Sequence, residues 1–233
     1  MLDGKSIKKN GRLATIFVAR VAIIAALLTV GKMAFAAIPN VEVVTVLIIV
    51  YGATLGLPYA LAATLIFCTV EMAIWPPHTW VLLYYIYWPA LALVSSLVLR
   101  RMKVGKATVL AVIIAVFGSF LFGLLSACVD TVFCVMDLTG PQLAQKWLAY
   151  YLRGIYFDVV HMISNAIIVA VLFAPLVLLV RGIAPDACSV VSGKFKKLSK
   201  LAGEYTRDIE VEEEIFDYDT FIVDLTKDSN QDD

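Results

Sequence analysis

The chain has 233 residues, of which 61% are hydrophobic and only 16% charged, against about 25% charged in an average soluble domain. With a mean hydropathy of +0.87, that composition excludes an ordinary soluble protein and points to an integral membrane protein in contact with the lipid bilayer. Net charge is zero, yet residues 1 to 203 hold 17 Lys/Arg against 7 Asp/Glu and residues 204 to 233 hold 2 against 12, so a basic body carries an acidic tail.

Windows of about 20 residues, the length a helix needs to cross a bilayer, give six candidate spans. They are Ile16 to Ala37, Val41 to Leu55, Pro58 to Ile74, Val81 to Leu99, Ala107 to Cys128 and Ile155 to Val180. The first is too long for the apolar core of a signal peptide and lacks a clear cleavage site, so it is expected to be retained as a helix. It carries small residues at Thr15, Ala19, Ala22 and Ala26, a spacing that lets another helix approach closely, either within its own bundle or on a partner membrane protein. Arg20 and Lys32, near its ends, are expected to snorkel and are given no chemistry. The second span is short, and Gly56 and Pro58 mark its turn into the third.

Positive charge orients the bundle. Lys5, Lys8, Lys9 and Arg12 precede span one, Arg100, Arg101, Lys103 and Lys106 follow span four, and Arg181, Lys194, Lys196, Lys197 and Lys200 follow span six. The alternate connections hold few cations, so both termini are expected in the cytoplasm. The expected organisation is a cytoplasmic arm at 1–15, a six-helix transmembrane domain at 16–182 and a disordered basic-then-acidic cytoplasmic tail at 183–233.

The outer connections gather the remaining unusual residues. The first, AAIPNVEVVT, brings Asn40, Glu42 and Thr45 into the start of span two. The second, WPPHTWVLLYYIYWP, concentrates Trp75, His78, Trp80, Tyr84, Tyr85, Tyr87 and Trp88. These rings suit a headgroup-level belt or the walls of a site for a flat ligand. Glu71 lies one turn before Trp75 and is able to pair with a ligand group or with a helix partner such as Lys32. The third connection, Val129 to Arg153, is long for a turn and includes the amphipathic PQLAQKWLAYYLRG, which reads as a surface helix on the bilayer or as a lid. Cys128 and Cys134 near it are able to pair, although four cysteines without a spacing motif say little.

The last span opens with GIYFDVVHMISN. Offsets of three and four residues put Gly154, Asp158, His161 and Asn165 on one side of a helix. Ionisable groups at membrane depth face a bundle interior or a watery cavity and mark a functional site by default; otherwise such a cluster glues helices together. No zinc pattern, catalytic triad, P-loop or nucleotide fingerprint occurs in the sequence, so neither enzyme activity nor a cofactor, metal or nucleic-acid partner is expected.

Three features together resemble the substrate-binding S components of energy-coupling-factor (ECF) vitamin transporters: IPNVEVVTVLIIVYGATLG after the first helix, GIYFDVVHMISN followed by Pro175 in the last, and six helices with both ends inside. The resemblance covers about residues 16 to 181. It implies a subunit of a prokaryotic plasma membrane that captures a vitamin or vitamin precursor at the outer face. Such a subunit works with a transmembrane coupling subunit and two cytoplasmic ATPases. Asn40, Glu42 and Thr45 match the first-loop motif, and Gly154, Asp158, His161 and Asn165 the last-helix motif. Thr15, Ala19, Ala22 and Ala26 fall where the family offers small residues to its coupling subunit. Trp75, Trp80, Tyr84 and Glu71 complete the expected substrate site from the chain's own aromatic and acidic pattern. The acidic tail is longer than the family usually shows. A membrane assembly protein, whose polar face binds another helix, and a stand-alone transporter or channel are the alternatives; an intramembrane hydrolase would need a nucleophile or metal set that the sequence does not offer.

Overall fold

The computed structural model describes residues 4–75, 78–133 and 135–185, with side chains from residue 13 onward. Among these residues the chain forms six helices and no strand: α1 (Gly4–Ala34), α2 (Val44–Thr54), α3 (Leu57–Ile74), α4 (Thr79–Val98), α5 (Val104–Val132) and α6 (Gly140–Ile183). Five of them, all but α2, are long and apolar enough to cross a membrane. Residues from 186 onward, and with them nearly all of the tail expected at 183–233, lie outside the described residues. So do Pro76, Pro77 and Cys134, and hence the Cys128–Cys134 pairing.

α1 begins at Gly4, so the arm expected at 1–15 is continuous with the first helix. Its buried residues are Val21, Ile24, Ala25 and Leu28, the three-and-four spacing of one helical face. Thr15, Ala19, Ala22 and Ala26 are exposed. The small-residue stripe therefore does not pack inside its own bundle; it lies on the outer wall beside Val18, Ile23 and Val30.

α2 has 11 residues, ~16 Å at 1.5 Å each, about half the hydrocarbon thickness of a bilayer. All of them except Leu47 are buried, so protein surrounds this helix, chiefly α4 and α6. Close approach to α4 requires Gly52: a Cβ there would stand 2.9 Å from Ser95 Cβ and 3.1 Å from the Ala92 carbonyl oxygen. Ser96 Oγ, on the same face of α4, donates to the Gly52 carbonyl at 3.2 Å. The turn into α3 is carried by Gly56 at φ +87°, a left-handed conformation that glycine adopts without steric cost.

The long third connection expected at Val129 to Arg153 is not a separate surface helix. Its amphipathic segment is the first part of α6, which runs unbroken for 44 residues, ~66 Å. Pro141 in its first turn has no N–H to leave unpaired, and Gln142 Oε1 accepts the Thr139 N–H at 2.9 Å. α5 runs on to Val132, leaving only residues 133–139 to join the two helices.

These two helices form an antiparallel hairpin with a continuous seam. α5 presents Ala107, Ala111, Ala115, Ser119, Gly123 and Ala127, all buried small residues four apart, which lets the backbones approach. Facing them, α6 buries Asp158, His161, Asn165, Val169, Phe173 and Val177. Toward the loop the pairing continues through Ser126 with Tyr150 at 3.2 Å, Trp147 Nε1 donating to Cys128 Sγ at 3.3 Å, and Lys146 with Asp130 at 3.2 Å. This amphipathic segment is thus held against α5 through Lys146, Trp147 and Tyr150.

Candidate functional site

One end of the bundle gathers the C-terminal ends of α1, α3 and α5, the start of α4 and the middle of α6. They enclose a cavity of about 640 Å³, within the range of small-molecule sites. Its wall includes Lys32 and Phe35 from α1, Asn40 from the following loop, Trp75, Trp80 and Tyr84 from the α3–α4 region, Phe122, Gly123 and Ser126 from α5, and Tyr150, Tyr151, Arg153, Gly154 and Asp158 from α6. Ile38 and Arg153 at its rim are exposed, so the cavity reaches the surface.

The α1–α2 loop is fixed onto α6 by Asn40. This residue has φ +59°, a conformation that asparagine tolerates better than most side chains. Its Nδ2 donates to the Phe157 carbonyl at 3.0 Å, and its own carbonyl accepts Ser164 Oγ at 2.9 Å. Gly31 makes room for the same loop, because a Cβ there would meet Val43 Cγ2 at 2.7 Å.

Below the loop lies a buried charged cluster. Glu42 is 3% exposed. Its Oε2 takes Lys32 Nζ at 2.7 Å; its Oε1 accepts Thr45 Oγ1 at 3.1 Å and lies 3.3 Å from His161 Nε2. A buried carboxylate is tolerated when it is paired and its remaining lone pairs are satisfied, and Glu42 meets both conditions. The snorkelling expected of Lys32 is corrected here: its side chain is only 23% exposed and turns inward, with the ammonium 5.5 Å from the centroid of the Tyr84 ring. The counter-charge is Glu42, not the Glu71 partner considered from the sequence.

The aromatic wall is built from residues that contact one another at edges. Trp80 meets Trp75 at 6.3 Å and Tyr84 at 5.3 Å between centroids, both edge-to-face, a preferred geometry for ring pairs. Trp75 is anchored from behind, where its Nε1 donates to Glu71 Oε2 at 3.1 Å. Other rings of that stretch serve the core: Tyr87 and Trp88 are buried, and Tyr85 hydroxyl donates to Thr69 at 3.0 Å.

The expected site residues therefore divide by depth. Asn40, Trp75, Trp80, Tyr84, Gly154 and Asp158 line the cavity. Glu42, Thr45, Glu71 and His161 stand behind the wall: Glu42 holds Lys32 and Glu71 holds Trp75, while Thr45 and His161 contact Glu42. Asn165 is deeper still in the α5–α6 seam, donating to Ser119 Oγ at 2.9 Å. Sequence reasoning missed Lys32, Phe122, Gly123, Ser126 and Tyr150 as lining residues. Among the described residues no group of three or more His, Cys, Asp or Glu could hold a metal ion.

Fold and site together define a multi-pass helical membrane protein with a ligand-sized, aromatic-walled cavity at one end. No protein-family model, curated protein or solved structure matches the chain.

Proposed function

We propose that the chain is the substrate-capture subunit of an ECF-type vitamin transporter. It takes up a vitamin or vitamin precursor at the outer face of a prokaryotic plasma membrane and relies on partner subunits for ATP hydrolysis. The observation that carries this reading is the convergence of the IPNVEVVT loop, the Trp75–Trp80 turn and the GIYFDVVH helix on one cavity of about 640 Å³. The first and last of these are the segments on which the family resemblance rests.

The roles follow from position. Trp80 and Tyr84 supply stacking surface, Asp158 a directional polar contact, and Glu42 with His161 hold Lys32 at the wall. The cation-rich segments before α1, between α4 and α5 and just after α6 belong in the cytoplasm by the positive-inside rule, an orientation that supports an outward-facing cavity. The exposed Ala19, Ala22 and Ala26 face of α1 suits a coupling subunit. An assembly protein would use the polar face of α6 against another helix, whereas here that face already meets α5 and still leaves a cavity.

The test is mass spectrometry of small molecules retained by the detergent-purified protein after incubation with a vitamin mixture, with Asp158→Ala as control. A single compound held by the native protein and lost from the variant supports capture. Retention of nothing by a folded preparation overturns it.

A further inference from the structure

The cavity's charge distribution says more about its occupant than its shape does. Asp158 is 9% exposed and lines the cavity, and among the described residues its carboxylate has no hydrogen bond or ion pair. Its place is reserved by Gly123 across the seam, where an added Cβ would overlap the carboxylate. The carboxylate borders the cavity, where a donor on a bound molecule can reach it.

The basic groups nearby are bonded elsewhere: His161, one turn along α6, interacts electrostatically with Asp158 but makes no hydrogen bond to it among the described residues. Lys32 is committed to Glu42 at 2.7 Å, and His161 lies on the same carboxylate at 3.3 Å. Arg153 is exposed at the rim, with Nε donating to the Ala149 carbonyl at 3.3 Å. A second buried acid, Glu71, has one oxygen on Trp75 and the other, Oε1, without a partner. Of the charged side chains that line the cavity, Lys32, Arg153 and Asp158, the acid is the one without a hydrogen bond or ion pair among the described residues. An anionic ligand seated on this part of the wall would face the Asp158 carboxylate.

We propose that the cavity selects a small planar organic cation, with its charged group on the Asp158 carboxylate and its ring against Trp80 and Tyr84. This rests on the capture reading above and adds to it the charge and shape of the cargo.

Three nearly isosteric probes separate charge from shape: benzamidinium, benzamide and benzoate, titrated calorimetrically into the full chain in lipid nanodiscs. Benzamidinium is expected to bind at least about tenfold more tightly than benzamide, the margin by which a charge-assisted hydrogen bond exceeds a neutral one, and benzoate most weakly. Asp158→Asn, which keeps the shape, should reduce benzamidinium to the level of benzamide, with thermal unfolding of the variant checking that it remains folded. Benzamide or benzoate binding as tightly as benzamidinium overturns the proposal, as does a cation preference that survives in Asp158→Asn. Binding of none of the three up to about 10 mM, weak even for fragments of this size, also overturns it. The vitamin-retention experiment then decides separately whether capture itself falls: a retained neutral or anionic compound leaves capture standing and removes only the cation.

Discussion

Lys32→Met tests the internal ion pair most directly, because Met keeps most of the side-chain volume and removes only the charge. Glu42 would remain 3% exposed, with Thr45 and His161 as its only partners. Removing one member of a buried pair typically costs about 3–5 kcal/mol; the surviving contacts from Thr45 and His161 place this variant near the lower end, ~3 kcal/mol. The reverse change, Glu42→Gln, strands Lys32 instead, but its side chain is 23% exposed and lines the cavity, into which it can turn. That variant should cost about 1–2 kcal/mol, the scale of lost hydrogen bonds. The double variant has no uncompensated charge and should be more stable than Lys32→Met alone. Unfolding by SDS in mixed micelles reads all three, and the reactivity of Cys68, a buried free thiol that donates to the Tyr84 carbonyl at 3.4 Å, reports opening beside the site. A Lys32→Met variant within about 0.5 kcal/mol of the parent, as for an exposed pair, or strictly additive single changes, would refute the reasoning.

Gly123→Ala should weaken binding of any ligand held by Asp158 by about tenfold or more, since the new methyl displaces the carboxylate; titration of the variant with benzamidinium measures it. Ala22→Leu adds bulk to an exposed face of α1 and should impair co-purification with a coupling subunit while leaving stability and ligand binding unchanged. Asn40→Ala loses the Nδ2 bond to Phe157 and a side chain suited to φ +59°, and is expected to destabilise by about 1–3 kcal/mol in the same SDS titration.

Much of this architecture is written in local periodicity. The polar face of α6 is legible because helical spacing alone stacks Asp158, His161 and Asn165, and the five long spans because apolar runs of that length have one common use. What periodicity does not give is depth along the stripe. Asp158 meets the cavity, His161 the carboxylate of Glu42, and Asn165 the seam, a division set by how far the α1–α2 loop dips toward α6. The inward turn of Lys32 is not legible in the sequence for a related reason: a lysine at a helix end snorkels unless a carboxylate is delivered to it, and Glu42 arrives only through the loop that Asn40 ties down. The continuity of α6 was hidden by hydropathy, because Lys146 and Arg153 interrupt the apolar run without interrupting the helix. The small-residue seam of α5 repeats every fourth residue and was available to the same reasoning that found Thr15, Ala19, Ala22 and Ala26.

α6 also ties the mouth of the cavity to the far end of the molecule by a single rod. Tyr150 and Tyr151 stand at one part of it and Ile183 at its end, 32 residues and ~48 Å from Tyr151. A rod of that length that pivots by five degrees moves its end by ~4 Å, so an inward pull on the two tyrosines is felt well beyond the residues that touch the ligand. The weakest place to absorb it by bending is Pro175, which lacks the backbone N–H that would brace the preceding turn. Pro175 is therefore the point at which this long helix bends most easily between the cavity and its far end.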